Sequence, residues 1–438
     1  MNAQGMIGVG TKPYTPPKKV TIQRCTLDGA RRNNISINAC DGVVIENNVI
    51  RNAGVDTTIG PGFGIDIEGY GEGDIDFEVP VNVVIKNNTF RGNREHSMSN
   101  YNGYGVVIEG NFSDHTISYG FGTDTVIANN VIICTDAKVE AIRCEGVSNG
   151  LVGNNVTITG NVVKGFVKGI QASGKDVVVA GNTISDGRLG IQAYLAENVL
   201  VSGNAVHHCE VSAYRIGHSK NVSLVNNKAF AVNGYAIEVF QSPVKPSDPD
   251  EEPAITCNLV ASNLISKCRG GIKVEDSDVS VMGNLIDLRE YEGPLASLYD
   301  ISFDKNSNVA IKGNRIVGAK KFAIYGEGRS GKRVLISDND IAETKSITAV
   351  LIKEGVRPQV IGNNISFDRN SDGGIGIYLQ ATSNAVVARN SVYSNSGFSL
   401  TNAIRTNESN HSKVLQNVAV GGGLLLSQGD TTMGNTVV

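Results

Sequence analysis

Tryptophan is absent from the sequence, proline is scarce at 11 residues in 438, and no apolar run approaches the ~20 residues of a membrane-spanning helix. The opening stretch, MNAQGMIGVGTKPYTPPKK, has no apolar core of a secretory signal. Charge of one sign is missing too: 39 Lys and Arg stand against 43 Asp and Glu, scattered along the chain for a net charge of -4. That balance gives no basic footprint for nucleic acid and no polybasic patch for an anionic membrane. Seven cysteines, at positions 25, 40, 134, 144, 209, 257 and 268, are odd in number and lack the C-x-x-C spacing of a metal or redox site. They read as reduced, mostly buried small apolar residues of a protein made in a reducing compartment.

What is abundant is glycine, at 51 residues, together with Val, Ile and Asn, a mixture suited to short strands and tight turns rather than helices. It is also ordered. Between Gly174 and Val206 the chain reads VVVAGNTI and then VLVSGNAV, two apolar alternations each closed by Gly-Asn and an aliphatic residue. The pattern recurs with its asparagine at Asn48, Asn88, Asn130, Asn161, Asn182, Asn204, Asn227, Asn263, Asn284, Asn314, Asn339, Asn363, Asn390 and Asn417, and a degenerate first copy puts Cys25 in the asparagine place. A second signature lies between the copies, a small residue followed by an aliphatic alternation, as in GIDIE (Gly64 to Glu68), AIRCE, GIQAS, AIEVF and GIKVE.

Each unit thus reads strand, turn, strand, asparagine turn, very short strand and variable loop, with a shortest period of about 21 to 23 residues. One such coil cannot bury its own inward Val and Ile; stacked coils bury them together and pair every strand with the coils on either side. The expected fold is all-β, a right-handed parallel β-helix of about fifteen coils with loop insertions, preceded by an entry segment over 1–19 and filling 20–438 as a single domain. Asparagines stacked at one bend would form an amide ladder satisfying buried backbone groups, so that column is structural.

On the second-signature strands the aliphatics point inward, so the third and fifth residues face outward together. They spell out Asp66 and Glu68, Val107 and Glu109, Arg143 and Glu145, Gln171 and Ser173, Gln192 and Tyr194, Arg215 (with His218 after it), Glu238 and Phe240, then Lys273 and Glu275. Loops over 51–63, 69–82, 91–103, 110–125 and 241–256 would wall this strip into a groove. Glu68, Glu109 and Glu145 fall in one column, with Asp66 and Arg143 beside them. Carboxylates about 5 Å apart repel unless one holds a proton or a cation sits between them. The proton makes a general acid of the glycosidase kind; the cation would be Ca²⁺, serving β-elimination from a uronate, with no other cofactor expected. The plainer alternative is that the glutamates splay into solvent and pair with Arg or Lys. A second cluster of candidates comprises Tyr194, Arg215, His218 and Glu238, and Gln171, Gln192, Tyr194, His218, Phe240 and Lys273 are the candidate substrate-binding residues, since amides and aromatic faces suit a polysaccharide. The run GEGRSGK, Gly326 to Lys332, mimics a phosphate loop but is followed by Arg333 where Ser or Thr is required, so it reads as a corner.

These VxIxxN coils resemble the right-handed parallel β-helix superfamily, which includes bacteriophage tailspikes and pectate-lyase-like carbohydrate-active proteins, over roughly 20–438. GIDIE is similar to a strand of phage-type members, and the resemblance implies catalytic acids on this sheet. YGFGTD (Tyr119 to Asp124) is similar to the YGFDPH motif of mannuronan epimerases, but Gly122 and Asp124 replace its Asp and His and the activity is not carried over. The resemblance implies a polysaccharide depolymerase, hydrolase or lyase, acting on a bacterial surface glycan from a phage tail as a homotrimer, with no nucleic-acid or membrane partner. A non-catalytic glycan-binding or structural fibre is the alternative.

Overall fold

The computed structural model describes residues 5–10, 16–69, 79–134, 139–145, 153–242, 258–293, 298–345, 347–368, 373–394 and 399–438. Cys257 and most of the expected loops over 69–82 and 241–256 lie outside them. The described chain is all strand and turn, every pairing is parallel, and the strands belong to two compact units, Met1–Val206 and His207–Val438.

Alternation dictates how each coil buries itself. In Cys40–Glu46 the side chains of Val43 and Ile45 are fully buried, as is Ile50 at the centre of the three-residue strand Val49–Arg51, while Val49 stays 37% exposed. Each inward Ile or Val is worth roughly 1.5–3 kcal/mol when buried. Between those two strands the chain must reverse sharply, and the residue before the buried asparagine does it with a positive φ: Asn47 at 58°, Asn87 at 55°, Gly181 at 64°, Asp338 at 57°. That explains the Gly-Asn and Asn-Asn pairs of the repeat, because glycine and asparagine tolerate the left-handed region best.

The asparagine column is a continuous ladder within each unit. Asn182 shows its logic: its Oδ1 accepts from the backbone N (2.9 Å) and Nδ2 (2.9 Å) of Asn161, while its own Nδ2 donates to Asn204 Oδ1 (3.0 Å) and to the Ile158 carbonyl (3.0 Å). Cys25 does occupy the first rung, donating its backbone N to Asn48 Oδ1 at 2.9 Å. Two rungs absent from the repeat as read also belong: Asn111, between Asn88 and Asn130, and Asn435, after Asn417. The entry segment holds a strand as well, Ile7–Val9, in parallel register with Ile35–Ile37.

The ladder residue Asn111 corrects one register. Glu109 ends the strand Tyr104–Glu109 that feeds the asparagine turn, where it stands between Lys86 and Ala128, and not on the sheet that carries Asp66. The strands actually following Ile65–Ile67 on that sheet are His96–Asn100 and Thr116–Tyr119, and then Glu140–Cys144.

Candidate functional site

One cleft of about 400 Å³ opens on this sheet, lined by Arg32, Phe63, Asp66, Glu68, Glu95, His96, Ser99, Tyr101, Arg143 and Glu145, with Pro61 at its wall. The register explains the lining. Opposed residues give one column of Ser36, Asp66, Ser99, Ser118 and Arg143, and the backbone bonds Tyr101 N to Ile67 O, Gly120 N to Asn100 O and Glu145 N to Tyr119 O give a second of Glu68, Tyr101, Gly120 and Glu145. Glu68 and Glu145 are therefore separated by two strands rather than adjacent, and so are Asp66 and Arg143. Ser99, Ser118 and Gly120 leave space in the gap, and the Tyr101 ring lines it. Gly120 is obligatory there: a Cβ on it would lie 2.0 Å from the Tyr101 carbonyl oxygen.

The wall is built by hydrogen bonds. Arg94 donates to the carbonyls of Gly54 (3.2 Å), Asp56 (2.8 Å), Ile59 (2.7 Å) and Pro61 (2.8 Å), folding that loop over the strand. Buried Asn33 ties loop to site, accepting from Phe63 N at 2.9 Å and donating its Nδ2 to Asp66 Oδ2 at 2.8 Å.

Asp66 is 4% exposed. Burial, and then the charge of Glu68, push its carboxyl up to about 7, against the smaller downward pull of Arg32 and the Asn33 bond. Glu145 is the opposite case. Burial alone would raise it, yet hydrogen bonds from His96 and Arg143 together outweigh that and hold it at about 2. Arg143 grips it through Nε (3.1 Å) and a terminal nitrogen (2.7 Å), the bidentate geometry that carboxylates favour. His96 Nε2 meets Glu145 Oε1 at 2.8 Å; since the ionised carboxylate only accepts, that nitrogen carries the proton. The ring lies 4.8 Å from Phe63 and 6.1 Å from His115, and its Nδ1 is buried with no hydrogen-bond partner. Glu68 reaches Arg32 at 4.0 Å.

Of the residues expected from sequence, Asp66, Glu68, Arg143 and Glu145 share this cleft. Gln171 and Gln192 continue the column beyond Arg143, 9% and 7% exposed, and do not line the cleft. Ser173 is fully buried, donating its N to the Tyr119 hydroxyl at 3.0 Å, and Tyr194, half-buried, follows five buried residues of the next strand. The other candidates fall in the second unit: Arg215 Nε stands 3.0 Å from Glu238 Oε2, its guanidinium lies 4.7 Å over the Phe240 ring, and His218 meets the same ring edge-on at 5.9 Å. Lys273 pairs with Glu275 at 2.7 Å. His96, Tyr101, Phe63 and Arg32 were not expected from sequence. Among the described residues no three Asp, Glu, His or Cys side chains converge as a metal site, and the cleft acids each face a nitrogen donor, a set that does not suit an oxygen-seeking Ca²⁺. Cys25 is half-buried and Cys40, Cys144 and Cys268 are buried, all four as free thiols.

The family described as Right handed beta helix region has a model that matches residues 14–176, 151–247 and 298–438. The chain belongs to this family. Two Bacillus subtilis proteins resemble this β-helix protein along most of its length: Uncharacterized protein YclG, 36% identical over 82% of this chain and 60% of its own, and SPbeta prophage-derived uncharacterized protein YorA, 33% identical over 89% and 64%. The β-helix chain thus spans less than two thirds of either relative. Among solved structures, the A-module of mannuronan C-5 epimerase AlgE6 from Azotobacter vinelandii aligns over 91% of this chain and 90% of its own at 12% identity, with a TM-score of 0.41. Among the described residues no helix is long and apolar enough to cross a membrane.

Proposed function

We propose that this β-helix protein is a polysaccharide depolymerase whose cleft works by general acid and base catalysis. One observation carries the reading: a buried carboxyl that keeps its proton up to about pH 7, Asp66, shares a cleft with Glu145, a carboxylate ionised down to about 2. Titratable groups pushed apart by their surroundings in one concave site are the usual mark of acid and base roles. Three strand spacings, about 14 Å, separate the backbones of Asp66 and Arg143, too far for the two carboxyls to act directly on one bond from their own strands. Glu145 therefore acts through His96, holding Nε2–H and leaving Nδ1, buried without a partner, to take a proton once the bound glycan displaces the side chains that cover it.

The step balances in either of two forms. In hydrolysis, His96 takes a proton from water as the water oxygen bonds to the anomeric carbon, and Asp66 gives its proton to the departing glycosidic oxygen. In elimination, His96 takes the proton beside a uronate carboxylate, a double bond forms within that sugar, and Asp66 again protonates the leaving oxygen. Incubation with a panel of bacterial capsular and O-antigen polysaccharides, followed by chain length, new reducing ends and the ultraviolet absorbance of unsaturated uronate, tests the proposal. Shortening of one glycan is the expected result, and absorbance separates lyase from hydrolase. Binding without any shortening would replace the enzyme by a glycan-binding fibre. The prophage origin of YorA supports a phage-borne role; a tailspike-like homotrimer goes with that reading, so light scattering should give three times the 46.3 kDa chain mass, and a monodisperse monomer would overturn that part.

A further inference from the structure

The second unit carries a feature that the cleft chemistry does not use. On its long sheet, the opposed residues Ser302, Tyr325, Leu351, Tyr378 and Arg405 form one column across five successive strands. Aromatic rings gather along it. Tyr299 and Tyr325 stack at 4.7 Å with their planes 15° apart, and Phe322 closes the group at 5.7 Å and 5.6 Å from them. All three are only half-buried, as is Tyr378.

A cation attends each tyrosine: Lys321 Nζ lies 4.6 Å over Tyr299, Lys353 Nζ 5.6 Å over Tyr325, and the Arg405 guanidinium 5.0 Å over Tyr378. On earlier coils of the same unit Arg215 pairs with Glu238 at 3.0 Å and Lys273 with Glu275 at 2.7 Å. Lys321, Lys353 and Arg405 have no carboxylate within 4.0 Å among the described residues. Glu327 instead accepts a hydrogen bond from the Tyr325 hydroxyl at 2.9 Å, and Arg405 Nε is buried with no hydrogen-bond partner. The Arg405 guanidinium as a whole is half-buried, and its planar donors match a carboxylate or sulfate arriving from solution. An exposed ring and cation pair is worth only about 0.5–1 kcal/mol by itself, so a cation resting on a ring keeps its charge available to a ligand.

We propose that this stripe is a binding site for an anionic polysaccharide chain, with sugar C–H faces packed on Tyr325 and Tyr378 and the carboxylate or sulfate groups taken by Lys321, Lys353 and Arg405. A polymer lying across the strands meets one coil about every 4.8 Å, so successive sugars contact successive coils. Single-stranded nucleic acid would also stack on tyrosines, and the oligo-dT arm of the test below separates it from a glycan. The site deepens the depolymerase reading by naming an acidic glycan, and it consists of residues that do not line the cleft.

Affinity electrophoresis of the full chain in gels containing polygalacturonate, chondroitin sulfate or neutral dextran tests it, with an oligo-dT competitor as a further arm. Polygalacturonate or chondroitin sulfate is expected to retard the chain, and the Lys321→Gln, Lys353→Gln, Arg405→Gln triple variant should lose at least about tenfold in affinity, in line with the removal of three charges. Tyr378→Phe keeps the ring and should retain binding, and a far-ultraviolet circular dichroism spectrum and thermal midpoint of the triple variant equal to those of the natural chain show that its loss is not misfolding. Asp66→Asn should bind as the natural chain does even where turnover has gone, so failure of the cleft chemistry and failure of this site are separable. Equal retardation by dextran, equal affinity for oligo-dT, an unaffected triple variant, or no retardation by either acidic glycan would each overturn the site.

Discussion

Replacing Asp66 with Asn separates what this residue costs the fold from what it gives the cleft. The carboxyl is raised from 3.8 to about 7, about three units, so at 1.36 kcal/mol per unit its burial carries a penalty of up to about 4 kcal/mol above neutral pH. The sign follows from the protons. Between about pH 4 and 7 the folded chain holds a proton that the unfolded chain has released, so stability falls as pH rises through that window. The substituted amide has the same shape as the carboxyl, never ionises, and its oxygen still accepts from Asn33, which donates to Asp66 at 2.8 Å. The variant should match the natural chain near pH 4 and exceed it by about 2–4 kcal/mol near pH 8. With no tryptophan to report, urea unfolding is followed by far-ultraviolet circular dichroism or tyrosine fluorescence. Turnover should drop by about 10²–10⁴, the usual worth of a positioned acid. Parallel stability profiles for the two chains across this pH range would refute the buried, protonated carboxyl and with it the assignment of the acid.

Three further outcomes follow from the geometry. Asn182→Ala strips the acceptor from the Asn161 backbone N and Nδ2 and leaves the Ile158 carbonyl short of its donor, so it should destabilise the fold by about 2–4 kcal/mol in urea unfolding, whereas exposed Asn233→Ala should change little. Asp300 is 3% exposed with one carboxyl oxygen unpartnered, at a position that Gly271 and Ala323 fill in the adjacent coils; burial, and then the Asp287 charge, raise it well above the ordinary range. Asp300→Ala should therefore stabilise the chain increasingly as pH rises above about 4, read as a higher thermal midpoint at alkaline pH and little change in acid. Gly120→Ala puts a methyl group 2.0 Å from the Tyr101 carbonyl and should cost about 1–3 kcal/mol together with activity, because the strands flanking the cleft must part.

The fold was legible because it is written in backbone requirements repeated many times: a left-handed residue, a buried asparagine, an inward aliphatic pair. The cleft was legible only where it borrowed those marks. Asp66, Glu68, Arg143 and Glu145 stand on strands with a small residue and two aliphatics, so their outward positions could be counted. His96 stands on His96–Asn100, where Met98 and the buried amide Asn100, bonded to Thr125 and Gly103, fill the inward places. Without the aliphatic pair that strand reads as loop. Glu109 erred in the other direction, since VVIEG fits both strand types and only the following Asn111 decides between them. How far a carboxylate reaches across strands, as Glu145 does to His96, is a property of side-chain packing that no spacing encodes.

The rungs of the amide ladder have a corollary for how such proteins diversify. Successive rungs are 18 to 40 residues apart in the chain, yet the bond from each backbone N to the next side-chain oxygen stays between 2.8 and 3.1 Å. The frame is thus blind to the length of what hangs from its corners. New walls and new specificities can be spliced in at a bend while the spine beneath keeps the same gauge, so loop exchange between coils is the natural route to altering what the molecule grasps.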